Sequence, residues 1–477
     1  YSDVLPTEAD LRTRFSKRIK LNVPLVSSPM DTVTTADMAI AMAENGGLGI
    51  IHRGLSPEEQ AKEVGRVKNR LNGRIDTPVT VRDDMTVAEV LAVQQEKKYP
   101  FHTFPVIDSS GKMVGLITGN DIDFCIDTTL LTRDIMTSFA DLNVASSDTL
   151  ALDGYNLMIH SKKKVLPLVD GNTLSGMYVF SDLRRILSQT PSNHNTDNNG
   201  KLMVGAAVGV GDGALRRAEL LVVKKCDVFH IDTAHGDSKM VIDTLKKLKE
   251  AYPHIDVVAG NVSSGESAKR LADAGADGVM VGQGPGSICT TRIIAGVGVP
   301  QVSAVFECVQ ALEGSGVPVC ADGGVNNSGD MAIALAVGAS SIMVGRLLAG
   351  TDEAPGETRF FEGRMVKDYR GMGSLGAMRD NASSREKYGQ GALTINKVVP
   401  EGVEGIVPYK GSVRTVIEQY VGGIRSGLGY NGARTIPELC ELAVLFRISA
   451  SGLGESHPHD ITITTQAPNY NGRGNRN

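Results

Sequence analysis

The sequence predicts an α/β fold, a (β/α)8 TIM barrel into which a tandem pair of small α/β units is inserted. Apolar, β-branched runs alternate with helix-like segments from Lys201 onward, and two more such runs lie within residues 1–76. Residues 77–190 interrupt this alternation and contain an internal repeat. Continuous apolarity is typical of strands buried on both faces of a parallel sheet. We therefore expect one barrel built from two separated parts of the chain.

The strands are expected in eight apolar runs, taken here in chain order. "VPLVSSPMDTV" gives the first and the end of "ADMAIAMAENGGLGIIH" the second, with a helix between them. The other six are "LMVGAAVGVG", "CDVFHIDTAHG", "DVVAGNV", "DGVMVGQGPG", "VPVCADGG" and "SSIMVGRLLAG". Segments such as "SKMVIDTLKKLKEAYP" and "ESAKRLADAGA" repeat apolar residues every three or four positions, which predicts helices. Closure of the barrel predicts an active site at the carboxyl ends of its strands.

Composition excludes several other classes of protein. A chain of 477 residues with 41% hydrophobic residues is expected to form more than one domain. Its net charge of −5 gives no general attraction to nucleic acid or anionic membranes, and no apolar run is long enough to span a bilayer. Its six cysteines lack a C-x-x-C pair, which argues against a disulfide framework or a zinc site. We expect a cytoplasmic protein without membrane or nucleic-acid partners.

The inserted segment consists of two similar units. "FPVIDSSGKMVGLITGND" (104–121) matches "LPLVDGNTLSGMYVFSD" (166–182), and each follows a helix-like segment. We divide the chain into residues 1–76, the first part of the barrel, residues 77–190, the inserted module, and residues 191–477, the rest of the barrel. The polar stretch 187–201 is expected to be a linker, and the polar tail 467–477 is expected to be mobile.

The two units resemble a tandem CBS (Bateman) module, which implies a regulatory role. The resemblance implies that Asp121 and Asp182, one at the end of each copy, contact the ribose of an ATP-type or GTP-type nucleotide. The alternative is that both aspartates only cap the helices that follow them. The identity of the nucleotide, and the sign of its effect, stay open.

The loop "GQGPGSICTTR" (282–292) follows the apolar run "DGVMV" and therefore lies at the catalytic face of the predicted barrel. Its glycines let the backbone approach a ligand closely. A nucleophilic thiol needs access and a lowered pKa, to which Arg292 and the neighbouring amides are expected to contribute. A cysteine is more commonly a small buried residue, but this position favours a catalytic role for Cys289.

Two glycine-rich strand ends, "ADGG" (321–324) and "GRLLAG" (345–350), are neighbours late in the barrel. Such adjacent ends are the usual place for phosphate capture. Asp322 is then placed to accept hydrogen bonds from both ribose hydroxyls of a nucleotide. Arg346 is expected to add positive charge to the phosphate, with an orientation toward solvent as the alternative. Together with the cysteine loop, these ends predict a nucleoside-monophosphate site.

Motifs in order along the chain resemble the inosine-5′-monophosphate (IMP) dehydrogenase family: "SSPMDTV", "DTAHG", "GNV", "GQGPGSICTTR", "ADGG", "YRGMGSLGAM", "VPEGVEG", "GGIRSGLGYNGA" and "ESHPHDITIT". The resemblance covers essentially the whole chain. It implies NAD-dependent oxidation of IMP to XMP in guanine nucleotide biosynthesis. In that reaction Cys289 attacks C2 of the hypoxanthine ring, hydride passes to NAD, and water hydrolyses the covalent thioimidate. A homotetramer, or an octamer of two stacked tetramers, is also implied.

The resemblance assigns roles residue by residue. The implied contacts to IMP are Ser287, Asp322, Gly324, Gly345, Tyr369, Gly371, Met372 and Gly373. The implied residues of the NAD site are Asp232, Asn261 and Gly282. A K⁺ ion is expected at the carbonyls of Gly284, Gly286 and Cys289, with Glu455, Ser456 and His457 of a neighbouring subunit. Thr291 is expected to help orient the hydrolytic water.

A mobile flap is expected at about residues 379–408, and there the chain departs from the family. The family carries adjacent Arg and Tyr before a Gln, whereas this chain has "SSREKYGQG", so that Lys387 precedes Tyr388. That arginine is the family's proposed base for activating water. A desolvated lysine is able to act as a base, although the two residue types are not interchangeable. Arg385 is an alternative by a shift of register, and Glu401 matches a second proton route.

Two other functions stay open. A GMP reductase shares the barrel, the cysteine loop and the covalent intermediate, but it releases ammonia with NADPH and lacks the flap arginine. Against it, the reductase pattern has a glutamate where this chain has "GMGSLGAM", "CTY" where it has "SGLGY", and usually no CBS pair. The third function is a nucleotide-binding regulatory protein in which Lys387 has disabled hydrolysis.

Overall fold

A computed structural model describes residues 2–70, 74–97, 99, 101–188, 193–465, 467 and 469–470. The chain divides into two compact units. The first comprises Tyr1–Arg70, Asn193–Asp197 and Leu202–Asn477, and the second comprises Leu71–Ser192 and Asn198–Lys201. The predicted boundary at residues 190 and 191, part of the predicted linker and most of the predicted mobile tail lie outside the described residues. Within the described part, no helix is long and apolar enough to cross a membrane.

The first unit is built around a closed barrel of parallel strands. The strands are β1 Leu25–Ser27, β2 Leu48–Ile51, β3 Val204–Val208, β4 Val228–Asp232, β5 Asp256–Val262, β6 Gly278–Val281, β7 Val319–Asp322 and β8 Ser341–Val344. The barrel closes where β8 pairs with β1, with Ile342 opposite Leu25. Every one of the eight predicted apolar runs contains one of these strands, and the predicted (β/α)8 barrel is confirmed.

Eight principal helices accompany the strands. They are α1 Ala36–Glu44, α2 Pro57–Lys68, α3 Asp212–Val223, α4 Lys239–Ala251, α5 Gly265–Asp273, α6 Gln301–Ala311, α7 Ser328–Ala336 and α8 Val413–Asn431. Local sequence explains their ends. In α2, Ser56 and Glu59 form a reciprocal capping box and Pro57 occupies the first turn. Helix α8 ends at Gly432, whose φ of 71° is the left-handed conformation that glycine adopts without strain.

Side chains from every strand fill the barrel interior. The cluster contains Val26, Leu48, Ile50, Ala207, Val228, Val258, Met280, Cys320 and Met343, together with Phe15, Ile19 and Leu21 from the N-terminal segment. The barrel is therefore a packed core rather than a pore, as expected for eight strands. Functional groups are consequently confined to the loops at its ends.

The first unit also contains shorter strands and helices. Thr13–Arg14 pairs with Lys20–Leu21, and Arg359–Phe361, Arg364–Arg370 and Glu404–Pro408 form an antiparallel sheet. The shorter α-helices are Thr291–Ile294, Arg346–Ala349, Leu375–Asp380, Ala382–Lys387, Ile436–Leu442 and Ala450–Glu455, and the 3-10 helices are Pro6–Glu8 and Ile395–Lys397. Within the predicted linker, Asn195 is buried, and its backbone N–H donates to the carbonyl of Ala43 at 2.7 Å.

The second unit contains two sheets of the same strand arrangement. One consists of Val81–Arg82, Phe104–Ile107, Met113–Ile117 and Thr137–Ser138, and the other of Ala145–Ser146, Val165–Asp170, Thr173–Val179 and Arg74–Ile75. The accompanying helices are Val87–Lys97, Gly119–Asp123, Thr132–Ile135, Ala151–Ser161 and Phe180–Ser188, with a 3-10 turn at Phe139–Asp141. In each sheet the first two strands are parallel and the next is antiparallel, which is the structural counterpart of the sequence repeat.

Candidate active site

A cavity of about 330 Å³ opens at the carboxyl ends of the barrel strands. Its wall comes from loops that follow β1, β4, β6, β7 and β8, from Asn261 of β5, from Tyr369, Gly371 and Met372 at the end of the strand Arg364–Arg370, and from residues of the predicted flap. The predicted site residues that line it are Asn261, Gly282, Gly284, Gly286, Ser287, Cys289, Thr291, Asp322, Gly324, Gly345, Arg346, Tyr369, Gly371, Met372, Lys387, Tyr388 and Glu401. Two others, Asp232 and Gly373, lie directly behind lining residues. The cavity therefore brings together residues expected from the strand-end rule, such as Cys289 and Asp322, and residues implied only by the family resemblance, such as Tyr369 and Glu401.

Cys289 lies half-buried in the wall of this cavity. Its Sγ is 3.1 Å from Oγ1 of Thr291, which is within hydrogen-bonding distance. The backbone of the loop is held on both sides, because Thr290 N–H donates to the carbonyl of Glu401 at 2.9 Å and Val403 N–H to that of Ile288 at 3.0 Å. The thiol is thus accessible on a loop whose position is fixed by a second segment.

The buried cysteines differ from Cys289 in their surroundings. Cys226 and Cys308 have no such access, and burial raises the pKa of each thiol to about 12. Burial also raises the pKa of Cys320, which packs in the barrel core. A thiol needs to ionise to become a nucleophile. These three are inert packing residues, and Cys289 is the cysteine that meets the cavity.

Arg292 braces the cysteine loop. Its Nε donates to the carbonyl of Gln283 at 3.2 Å and its Nη2 to that of Val299 at 2.5 Å. A Cβ on Gly284 or Gly298 would lie 2.7 Å from Cγ of Arg292, so both positions need glycine. The guanidinium is therefore held by two carbonyls of its own segment. At these two positions the glycines therefore serve close packing against Arg292.

Asp322 lies at the end of β7, beside Asn261 of β5. Nδ2 of Asn261 donates to Oδ2 of Asp322 and to the carbonyl of Gly282, each at 2.8 Å. Gln301 also supports this corner, since its Nε2 donates to the carbonyl of Asp322 at 3.1 Å. Burial raises the pKa of Asp322 to about 6, although the Asn261 hydrogen bond opposes that shift. The carboxylate is therefore held in one orientation as an acceptor.

The predicted phosphate cradle is assembled from three loops. Gly324 has a φ of 79°, which suits glycine, and a Cβ on Gly345 would lie 3.1 Å from Sδ of Met30 and 3.3 Å from the Tyr369 hydroxyl. Burial raises the pKa of Tyr369 to about 12, so its hydroxyl stays neutral and able to donate. Arg346 lines the cavity, and its Nη2 donates to Oδ1 of Asn326 at 2.9 Å.

Among the lining residues to which sequence reasoning gave no role are Ser28, Met30 and Asn326. Ser28 and Met30 belong to "SSPM", directly after β1, and Asn326 follows "ADGG" after β7. The rule that strand ends carry the site was sufficient to find all three.

Lys387 lies at the end of the helix Ala382–Lys387 and is ion-paired with Asp232 of β4. Its Nζ donates to the two carboxylate oxygens at 2.6 and 2.9 Å. Burial favours the neutral form of Asp232, but the positive charges of Lys387 and its other neighbours hold the pKa of Asp232 below its ordinary value. Burial lowers the pKa of His230, whose Nε2 is 3.7 Å from Asp232. In this arrangement Nζ of Lys387 is engaged as a hydrogen-bond donor to both oxygens of Asp232.

Tyr388 and Glu401 complete the wall next to Lys387. A Cβ on Gly373 would lie 2.6 Å from Cζ of Tyr388, so the glycine provides the space in which the ring packs. Burial raises the pKa of Tyr388, which keeps the phenol neutral. Glu404, the second glutamate of "PEGVEG", accepts a hydrogen bond from Gly376 N–H at 2.6 Å. Glu401 is therefore the glutamate of this motif that faces the cavity.

The residues predicted for K⁺ fall in two places. Gly284, Gly286 and Cys289 line the cavity, and the carbonyl of Gly286 accepts a hydrogen bond from Cys289 N–H at 3.1 Å. Glu455, Ser456 and His457 follow one another at the end of the helix Ala450–Glu455 and do not line the cavity of their own chain. No group of three or more His, Cys, Asp or Glu able to hold a metal occurs among the described residues.

In the second unit, Asp121 is the third residue of the short helix Gly119–Asp123. Its Oδ2 accepts hydrogen bonds from the N–H and from the hydroxyl of Thr118, both at 2.7 Å. This is the capping role that sequence reasoning gave as the alternative to ribose binding. Asp182 lies in the first turn of the helix Phe180–Ser188.

Comparison with known proteins is decisive about the family. A family model described as the IMP dehydrogenase / GMP reductase domain matches residues 1–459. The chain belongs to the IMP dehydrogenase / GMP reductase family. An inosine-5′-monophosphate dehydrogenase of Aquifex aeolicus is 48% identical over 98% of this chain and 95% of the relative. Those of Halalkalibacterium halodurans and Mycobacterium tuberculosis are 46% and 47% identical, covering 98% and 99% of this chain and 95% and 89% of the relatives.

A solved structure from the same IMP dehydrogenase / GMP reductase family has the other activity. It is a GMP reductase from Trypanosoma brucei in complex with guanosine 5′-monophosphate, 37% identical, with a TM-score of 0.84. The match covers 97% of this chain and 96% of that chain, so it extends across the inserted unit. At least this reductase therefore contains the insertion too, so the presence of the inserted unit alone does not distinguish the two activities for this chain.

Proposed function

We propose that this chain is an NAD-dependent IMP dehydrogenase, which oxidises IMP to XMP in guanine nucleotide biosynthesis. The observation that carries the proposal is 46–48% identity to relatives of that name over 98% of the chain. The cavity supports it, since an accessible thiol and a fixed carboxylate meet there at the carboxyl ends of the barrel strands. A thiol is able to form the covalent bond to the base, and a carboxylate is able to accept hydrogen bonds from the ribose hydroxyls.

In the first half of the proposed reaction, Sγ of Cys289 adds to C2 of IMP and gives up its proton. Asp322 accepts hydrogen bonds from the ribose hydroxyls and fixes the ring above the thiol. The other proposed contacts to IMP are Ser287, Gly324, Gly345, Arg346, Tyr369, Gly371, Met372 and Gly373. The hydride leaves C2, which leaves the base joined to sulfur as a thioimidate.

NAD supplies the acceptor for that hydride. The residues that would hold it are Asp232, Asn261 and Gly282, and they lie beside the cysteine loop. Both carboxylate oxygens of Asp232 accept hydrogen bonds from Lys387. A hydroxyl of the dinucleotide is therefore able to replace these contacts only after Lys387 has moved away. The two halves of the reaction would then use two positions of the flap.

In the second half, a water oxygen adds to C2, the C–S bond breaks, and the thiol of Cys289 is restored. Thr291 is placed to orient the water, because its hydroxyl already lies 3.1 Å from Sγ. The water also has to lose a proton. Lys387 accepts it only if the ion pair with Asp232 opens, whereas Glu401 already faces the cavity. Tyr388 excludes bulk water beside them. IMP, NAD⁺ and water thus give XMP, NADH and a proton.

Three further features belong to the proposal. Carbonyl oxygens suit a weakly hydrated cation such as K⁺, and we assign it to Gly284, Gly286 and Cys289 with the partner residues predicted from the tail. The inserted unit is assigned as a tandem CBS module that binds ATP-type or GTP-type nucleotides. A homotetramer or octamer supplies the partner residues. A cytoplasmic location agrees with the six free cysteines.

The second candidate is a GMP reductase, favoured by the similarity to the Trypanosoma brucei structure. The Trypanosoma brucei reductase is 37% identical to this chain, whereas the dehydrogenases are 46–48% identical to it. Parallel assays on the purified chain separate the two. Repeated turnover of IMP and NAD⁺ to NADH is expected. NADPH consumption that depends on GMP, without NADH formation from IMP, would establish the reductase instead.

A further inference from the structure

Arg53 is a buried arginine near the mouth of the barrel. It follows β2, and 6% of its side chain is exposed. Its guanidinium packs against Gly209, just after β3, where a Cβ would lie 2.9 Å from Nη1. The barrel therefore fixes the position of this charge. Its Nε has no hydrogen-bond partner among the described residues, so the barrel leaves part of the guanidinium unsatisfied.

A second positive charge lies close to Arg53. Arg217 donates to the carbonyl of Leu55 at 3.0 and 3.1 Å and to Oε1 of Gln60 at 2.8 Å, both of which are neutral acceptors. Burial, and next the charge of Arg53, lower the pKa of Arg217 to about 10. Two guanidinium groups near one another favour the approach of a carboxylate.

Glu386 supplies that carboxylate from the flap. Its Oε2 lies 3.4 Å from Nη1 of Arg53, and 58% of its side chain is exposed. It belongs to the helix Ala382–Lys387, next to Lys387 itself. The helix is therefore attached to the barrel by two adjacent ion pairs. One holds Lys387 on Asp232 and the other holds Glu386 on a fixed arginine.

We propose that Arg53 and Glu386 form a latch that sets the position of the helix Ala382–Lys387, and that Arg53 is thus a positioning residue for Lys387 and Tyr388. Arg53 touches neither substrate nor reacting atoms and acts through the flap. The effect on catalysis rests on the proposed function, since it concerns the hydrolytic half of that reaction. The attachment of the helix does not rest on it.

Glu386→Gln is the direct test, because Glu386 is largely exposed and its loss leaves the core intact. Glu418→Gln is the matched control. Glu418 is 57% exposed and pairs with Arg414 on α8 at 3.0 Å. Amide hydrogen exchange of the segment 382–388 is expected to accelerate about three- to tenfold in Glu386→Gln only. This acceleration is larger than the one expected from the loss of a fully exposed ion pair, because the guanidinium of Arg53 is buried.

The kinetic readout separates positioning from general damage. With IMP and NAD⁺, Glu386→Gln is expected to lower the steady-state rate about three- to tenfold and to leave the NADH burst and the KM for IMP unchanged. Glu386→Asp, which keeps the charge on a shorter side chain, is expected to recover part of the rate. Equal exchange in Glu386→Gln and Glu418→Gln would overturn the latch. A burst that falls as much as the steady-state rate would overturn the positioning role.

The same experiments distinguish failure of the latch from failure of the proposed function. If the unmodified chain forms no NADH from IMP and NAD⁺, the proposed reaction is wrong, and hydrogen exchange still decides whether the latch exists. Arg53→Lys gives a second variant that keeps the charge but loses the planar fork. Faster exchange in 382–388 is expected for it as well, and unchanged exchange in both variants counts against the inference.

Discussion

Replacing Lys387 by methionine is expected to slow the hydrolytic half of the proposed reaction and to leave the hydride-transfer half nearly unchanged. Methionine keeps an apolar side chain of similar length and removes both hydrogen bonds to Asp232, at 2.6 and 2.9 Å. Hydride transfer is proposed to occur with the flap displaced, so the ion pair contributes only afterwards. The variant is therefore expected to slow hydrolysis of the thioimidate and to leave hydride transfer unchanged.

The size of the effect follows from the surroundings of Asp232, which is 4% exposed. Removing one partner of a fully buried ion pair costs about 3–5 kcal/mol. Here the flap helix is able to move away and let water reach the carboxylate, so the lower range for charged hydrogen bonds, about 1.5–3 kcal/mol, applies. At about 1.36 kcal/mol per tenfold, the closed flap and the steady-state rate should decrease about ten- to hundredfold.

Rapid mixing with saturating IMP and NAD⁺ gives the NADH burst and the steady-state rate in one experiment. Lys397→Met, at an exposed lysine of the same flap, is the control and should change neither. Lys387→Arg is expected to raise the steady-state rate, because a guanidinium is able to form a bidentate pair with Asp232. The reasoning is refuted if Lys387→Met lowers burst and steady state equally. If neither rate changed, the proton of the hydrolytic water would instead be accepted by Arg385 or Glu401.

Three other predictions concern the substrate site, the core and the inserted unit. Burial raises the pKa of Asp322 to about 6 from its usual 3.8, so the folded state gains stability from the protonated carboxyl at low pH and loses it as the pH rises through about 6. Ribose binding uses the ionised form, so the KM for IMP should fall across the same interval in initial-rate assays, and a flat profile would contradict this role. Lys68→Met removes a buried ammonium 2.7 Å from Asp227 and should cost about 3–5 kcal/mol in denaturant unfolding, against less than about 1 kcal/mol for the exposed Lys239→Met. Equal losses would refute that estimate. Replacing residues 77–190 by a short linker should preserve turnover and abolish any response to ATP or GTP, and an unfolded barrel would contradict the proposed boundary.

Local sequence was sufficient for the barrel, because each strand carries its own signal. The apolar runs ending in Gly, Asp or Asn gave β3 to β8, and the same rule placed Cys289 and Asp322 at one face. The ion pairs of the flap carry no such signal. Lys387 and Asp232 are 155 residues apart, and Glu386 and Arg53 are 333 apart. Their pairing depends on how the flap packs onto strand ends, which no local periodicity encodes.

The glycine-rich motifs illustrate a second limit of sequence reasoning. The family resemblance implies ligand contacts for Gly373 and for the carbonyl of Gly284, and the structure adds that each glycine also faces a side chain of its own chain, Tyr388 in one case and Arg292 in the other. A glycine shows that something approaches the backbone closely, but not whether that neighbour is a ligand or a side chain. Only the folded arrangement separates these two causes.

The central claim is that Cys289 forms a covalent bond with IMP. The most direct measurement mixes the chain with radiolabelled IMP and NAD⁺, quenches with acid during turnover, and counts the label that stays on the denatured protein. The unmodified chain and Cys440→Ser, which alters an exposed cysteine, are expected to retain label. Cys289→Ser keeps a hydroxyl near Thr291 and should still bind IMP, but it should retain no label and form no NADH. Label or substantial NADH formation in Cys289→Ser would contradict the account.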